Sequence, residues 1–229
     1  MILHSRHERE RERRRQQILA ATKRVCVAKG FARATIKDIA DEAELSPGTI
    51  YIYFKNKDEL YAALSIRMLK HLNVQLRHAK ERKDLDHVQR LDAVKQALYE
   101  VYEIDPPMFI TLSHLQASET LANISDDLLK QILDLLDQSL TALSEIFAKG
   151  VKDGHFRDEA PSRAALILWA LFSGLILWEE SKRVLDPRKN FLKSTLDIAF
   201  EIFGRGIAKR ITDSEPHRPA FCVENRWKV

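Results

Sequence analysis

An all-α fold is predicted by three features of the chain. No stretch sustains the period-two alternation of a half-buried strand. Glycine and proline are scarce, seven of each in 229 residues, and they fall between periodic segments. Within those segments apolar residues recur at three- and four-residue spacing, which gathers them on one face of a helix. About nine helices are expected on this reading.

The segment Arg6 to Arg15 alternates arginine with glutamate. It either extends the first helix as a solvated face laced with i,i+4 pairs or serves as a minor-groove arm. The first secure helix spans residues 16–29, with Ile18, Leu19, Thr22, Val25 and Cys26 on one face and Gly30 as its stop. Thr35 reads as the N-cap of a second helix, and Asp38 three residues later approximates a capping box. After the break at Glu44-Leu45-Ser46, Pro47 opens a third short helix through Phe54. A long fourth helix is expected over 57–82. Others follow over 85–103, 108–122, 126–152, 162–183 and 188–211, with Ser125 as an N-cap and Gly154, Pro106, Pro107, Pro161 and Pro187 as punctuation. No internal repeat is present. The domain reading is a basic arm at 1–15, a DNA-binding unit at 16–60, a larger helical unit at 61–212 and a loose polar tail at 213–229.

Charge placement narrows the partners. Residues 1–60 hold 13 Lys and Arg against nine Asp and Glu, and the remaining 24 of each sign cancel, so the whole net charge of +4 sits in the first quarter. A basic end on a neutral body points to a polyanion. Cys26 and Cys222 lie at opposite ends of the chain and read as two free thiols in a reducing compartment. Met1-Ile2-Leu3-His4 runs straight into charge, which excludes a signal peptide, and the apolar run Leu166–Trp178 falls short of the roughly 20 residues of a membrane span. A cytoplasmic protein is expected, with no membrane partner.

Two helices joined by a short turn, the second short and N-terminally polar, form a helix-turn-helix. The major groove, about 12 Å wide, admits one helix, and that helix must be held rigid by an apolar cluster. Ile36, Ile39, Ala40, Leu45, Ile50 and Phe54 supply the cluster, backed by Val25 and Phe31. Gly48, Thr49, Ile52 and Tyr53 then face outward.

The stretch from Thr35-Ile36-Lys37-Asp38-Ile39-Ala40 through Ser46-Pro47-Gly48-Thr49-Ile50-Tyr51-Ile52-Tyr53-Phe54-Lys55-Asn56-Lys57-Asp58-Glu59-Leu60 resembles the DNA-binding domain of TetR-family regulators, over residues 16–63. The resemblance implies an N-terminal three-helix domain and a C-terminal helical ligand-binding and dimerisation domain. It implies that Thr35 meets a phosphate and that Lys37 reaches a base edge or the backbone. Pro47, Gly48 and Thr49 would approach bases, Tyr51 a thymine methyl or a phosphate, and Tyr53 and Lys57 phosphates, with Ile52 and Lys55 also among the DNA-binding residues. Many relatives carry glycine at the position of Glu44. A positive φ there would cost roughly 1 kcal/mol.

Beyond residue 63 the resemblance is one of architecture, with a weaker echo at Gly154-His155-Phe156. The helix Leu166–Trp178 is apolar nearly all round and so is expected to be buried on every side. By resemblance it and the last helix pair with their copies in a homodimer, through Leu168, Leu171, Leu175, Thr195, Ile198, Ala199 and Ile202. Leu98, Tyr102, Met108, Phe109, Leu112, Trp169, Phe172 and Trp178 are candidate walls of a pocket for a small apolar effector, with few obvious buried charges. Plain core packing is the competing reading of the same side chains. The recognition stretch looks most like that of relatives sensing fatty acyl compounds. His71 and His78 are seven apart, which is not the i,i+4 spacing of a helical metal site, so no metal and no cofactor is expected. No catalytic triad, phosphate loop or paired-carboxylate motif is present, and an enzyme is not expected. The leading expectation is a ligand-responsive repressor that binds palindromic operator DNA. The alternatives are a small-molecule sensor or buffer with little specific DNA binding, and a membrane-surface protein using the Leu166–Trp178 run.

Overall fold

Alternating Glu and Arg at three- and four-residue spacing stabilise a helix through side-chain pairs. The first helix accordingly begins well before residue 16. In a computed structural model of the chain, which describes residues 2–30, 33–104, 123–158, 160–185 and 192–209, α1 spans Ile2–Lys29. Arg13 pairs with Glu10 at 2.7 Å and Gln16 donates to Glu12 at 2.6 Å. The remaining elements are α2 (Ile36–Glu42), α3 (Pro47–Tyr53), α4 (Lys57–Glu81), α5 (His87–Ile104), α6 (Asp126–Lys152), α7 (Pro161–Leu185) and α8 (Leu192–Ile207). Among the described residues there is no strand, and a single bridge joins Phe156 to Ala208. The expected helix at 108–122, the contribution of Phe31, Cys222 and the 213–229 tail lie outside the described residues.

Helix ends carry four unpaired N–H and four unpaired C=O groups, and the short helices depend on satisfying them. At α2 the Thr35 hydroxyl accepts from the Asp38 N–H at 3.1 Å while the Asp38 carboxylate accepts from the Thr35 N–H at 3.1 Å. Ser46 accepts from the Thr49 N–H to open α3, and Asn56 accepts from the Glu59 N–H to open α4. Ser125 stands at the N-cap of α6 but makes no capping bond. α2 closes with the Leu45 N–H on the Ala40 carbonyl and the Glu44 N–H on that of Asp41, with Glu44 at φ 55°. α6 closes in the same way through Gly154 at φ 78°.

One apolar core runs through both halves. Ile18, Ile39, Ile50 and Phe54 bury the three small helices against Leu60 and Tyr61 at the start of α4. Higher up, α4 packs on α5 and most extensively on α6. α6 packs on α7, and α8 lies on α5 and α7. Buried polar groups set the register. Asn73 of α4 donates to the Leu135 carbonyl at 3.0 Å and accepts from the Ser139 hydroxyl at 2.6 Å on α6. Arg90 donates to the carbonyls of Ala79, Lys80, Arg82 and Leu85, closing the end of α4. Gly150 is required where Phe156 folds back on α6, because a Cβ there would lie 2.1 Å from the Phe156 ring.

α7 departs from its expected burial. Leu168, Phe172 and Ile176 are buried, but Leu166, Ile167, Leu177 and Trp178 are exposed, and so are Ile198 and Ile202 on α8. The two helices therefore share an uncovered apolar face. By length and composition Pro161–Glu179 is also sufficient to cross a membrane.

Candidate nucleic-acid interface

The two faces of α3 separate as a groove-reading helix requires. Ile50 and the following Phe54 are buried, whereas Tyr51 is 54% and Ile52 72% exposed. Pro47 and Gly48 are exposed and Thr49 and Tyr53 partly so. Apolar exposure of this size on a seven-residue helix is unfavourable in isolation and calls for a partner. The Thr49 hydroxyl lies 2.9 Å from that of Ser46, so the N-cap orients it at the start of the helix.

Thr35, Lys37 and Lys55 are exposed around α3, on the second helix and the turn into α4. Lys57 is half-buried. Its ammonium donates to the Ala34 carbonyl at 3.1 Å and sits 5.8 Å from the Tyr61 ring centroid. Its charge is thereby fixed between the openings of α2 and α4, where an anion meets free N–H groups. Lys29 lies 2.7 Å from Asp38 and, with the Thr35 hydrogen bonds, holds that carboxyl well below its usual range, at about 2.

Several supports were not visible in the sequence. The Arg15 guanidinium stacks 4.6 Å above the Phe54 ring. The Gln17 amide donates to the Ala43 carbonyl at 2.8 Å, tying α1 to the end of α2. Asn56 donates to the Asn123 carbonyl at 2.8 Å, and Asn123 donates to Asp58 at 3.1 Å, which joins the small helices to the segment before α6. The thiol of Cys26 lies 3.4 Å from the Tyr61 hydroxyl, and burial pushes the ionisation of that phenol further above its ordinary value.

In the larger half, Leu98, Tyr102 and Phe172 are buried and Trp169 is partly so. Met108, Phe109 and Leu112 lie outside the described residues. Trp178 is 64% exposed and turns away from these walls, which corrects its place among them. Leu168 is fully buried within its own chain and so cannot meet a partner, which corrects its place in the interface set. Leu171, Leu175, Thr195 and Ala199 are partly exposed, while Ile198 and Ile202 are 57% and 65% exposed. Charged side chains are buried in this half as well, Arg90 on α5 among them. Glu179 is buried on α7, approached by the Lys182 ammonium, and neither carboxylate oxygen makes a hydrogen bond. Among the described residues no group of three metal-ligating side chains gathers.

Residues 18–64 match the family of bacterial regulatory proteins designated tetR. The HTH-type transcriptional regulator TtgR of Pseudomonas putida is 29% identical over 207 residues, covering 84% of this chain and 94% of the relative. Among solved structures, the fatty acid degradation regulator FadR of Bacillus halodurans superposes with TM-score 0.67 at 22% identity, over 84% of this chain and 95% of that one. FadR of Bacillus subtilis, solved with stearoyl-CoA, superposes with TM-score 0.65 at 20% identity, over 84% and 98%. These likenesses show a shared fold along most of the chain, and the sequence match falls on the segment that presents α3. Residues 18–64 thus carry the DNA-binding segment of the TetR type, and the relatives matched along most of the chain are HTH-type transcriptional regulators.

Proposed function

We propose that the protein is a ligand-responsive repressor that grips a palindromic operator as a homodimer and releases it when a small apolar effector binds. The observation that carries the DNA half of this reading is the division of α3 into a buried Ile50 and Phe54 face and an exposed Tyr51 and Ile52 face. Thr35, Lys37, Pro47, Gly48, Thr49, Tyr53, Lys55 and Lys57 surround it as base and phosphate contacts. The uncovered apolar face of α7 and α8 supports the homodimer. The apolar effector would enter among Leu98, Tyr102 and Phe172, which are apolar or aromatic and lie buried in the core of the larger half. The shared fold with a FadR solved with stearoyl-CoA makes acyl compounds the first class to assay. An effector that lowers operator affinity 100-fold must favour the DNA-incompetent state by about 2.7 kcal/mol, within reach of a micromolar ligand.

Selection of duplexes from a random pool tests the reading. A palindromic consensus should emerge. Thr49→Ala should relax one position of it at a cost of roughly 1–3 kcal/mol. Lys57→Ala should weaken all duplexes alike and lower the log–log salt slope by about one. A pool that yields no consensus, or equal loss of specificity from both variants, contradicts the assignment.

A further inference from the structure

α1 is a single helix, but only its second half is anchored. It enters the core at Ile18 and Leu19, whereas residues 6–13 are exposed. At 1.5 Å per residue the stretch before Gln16 reaches about 21 Å beyond the anchored part. Between residues 6 and 15 it carries six arginines against three glutamates. Arg13 and Arg14 both lie against Glu10, so the acidic groups are partly spent on holding the helix rigid, while the arginines outnumber them.

The position of this extension matters more than its charge. Arg11 and Arg15, one turn apart, line one side of an open groove of about 950 Å³ together with Glu8 and Glu12. Its other sides include Tyr51, Tyr53 and Lys55. Tyr51 and Tyr53 lie on α3 and Lys55 in the turn that follows it, and all three are among the DNA contacts proposed above. Arg15 is fixed over the Phe54 ring, so the extension is held at a set angle to the reading helix. A cationic rod rigidly continuous with those DNA contacts is complementary to a phosphodiester chain.

We propose that the arginine-rich start of α1 is a second DNA-contact element, which lies along the sugar-phosphate backbone beside the half-site read by α3. The proposal rests on the reading that α3 binds duplex DNA, and extends it outside the consensus. A reach of about 21 Å covers about six base pairs at 3.4 Å each. The contact is with backbone, so it adds affinity and salt dependence without adding bases to the consensus.

The test compares the full-length protein on two duplexes, one ending at the selected operator and one carrying about ten further base pairs of arbitrary sequence on each side, beyond the reach given above. Affinity is followed by anisotropy across a salt series. Wild type should bind the flanked duplex more tightly, with a salt slope steeper by about 0.9 for each added phosphate contact. The combined variant Arg6→Gln, Arg9→Gln and Arg13→Gln should lose that increment, becoming about tenfold weaker or more on the flanked duplex while keeping the operator-only affinity. Glu8→Gln with Glu12→Gln should move the other way and tighten the flanked complex, since it removes repulsion. Glutamine has nearly the helix propensity of both residues replaced, and an unchanged helical circular dichroism signal confirms the fold. Equal affinity and slope on both duplexes for wild type, or an arginine variant indistinguishable from wild type on the flanked duplex, overturns the proposal and leaves the reading of α3 intact. Failure to bind even the operator-only duplex overturns both.

Discussion

Glu44 shows how one side chain carries two separable costs. It occupies the left-handed region at φ 55°, where the Cβ of an L-residue crowds the following carbonyl. The turn holds it there because the Glu44 and Leu45 N–H groups satisfy two carbonyls at the end of α2. Its carboxylate is exposed in the turn that leads into α3. Glu44→Gly should raise stability by up to about 1 kcal/mol, since the added freedom of glycine in the unfolded chain offsets part of the relieved strain. Glu44→Ala keeps the strain and should give no such gain. Both should tighten binding to any duplex by removing a negative charge. Urea unfolding together with duplex titration checks this, and equal stability of the two variants would show that the backbone there is unstrained. The companion case is Gly150, where space and not φ is decisive, because the Phe156 ring occupies the volume of a Cβ.

At the scale of elements, the seven-residue α2 is too short to persist by propensity alone and is held by its ends and its packing. Asp38 serves the N-terminal end twice, through the reciprocal bonds with Thr35 and through Lys29. Its carboxyl is lowered from 3.8 to about 2, first by Lys29 and then by Thr35. A depressed carboxylate contributes stability that is full above the unfolded value and is lost as pH falls through the folded one. Acid titration of the folded protein should therefore show a loss of stability between about pH 4 and pH 2, and Asp38→Asn should remove that component. The variant should be less stable than wild type at pH 7 and should converge with it near pH 2. A constant difference across the whole range would mean that Asp38 acts through shape and not charge. The capping pattern of this element was legible beforehand, because it depends on residue identities three apart. The extension of α1 was not, because local pairing and disorder predict the same alternating composition.

For the whole molecule, the proposed pairing of two copies rests on the uncovered apolar residues of α7 and α8. Ile198 and Ile202 on α8 lie one turn apart and remain exposed, as do Ile167 and Trp178 on α7. Fully burying each such side chain is worth about 1.5–3 kcal/mol, which an isolated chain forgoes. Ile198→Glu should yield monomers in sedimentation with the helical signal retained, and should lose operator affinity. A two-fold pair would hold its recognition helices about 34–36 Å apart on DNA. Full operator affinity in a monomeric species would rule the arrangement out, and partition of wild type into detergent would instead favour the membrane reading of Pro161–Glu179.

The amino-acid order by itself determined the all-helical class and the position of the helix-turn-helix, because both follow from local periodicity, caps and turn residues, but not the outward face of α3, where Tyr51 is exposed and Tyr53, expected outward, packs partly on the core. Only the tertiary structure decided which side of α7 is core. Where every position around a helix is apolar the periodic signal vanishes, so Leu168 and Trp178 are indistinguishable in sequence although one is fully buried and the other is not. The same holds for Glu179, whose burial depends on neighbours far away in the chain, and for Lys57, whose ammonium is held by a carbonyl 23 residues earlier. Contacts of that kind belong to the packing of one helix against another, and local spacing carries no record of them.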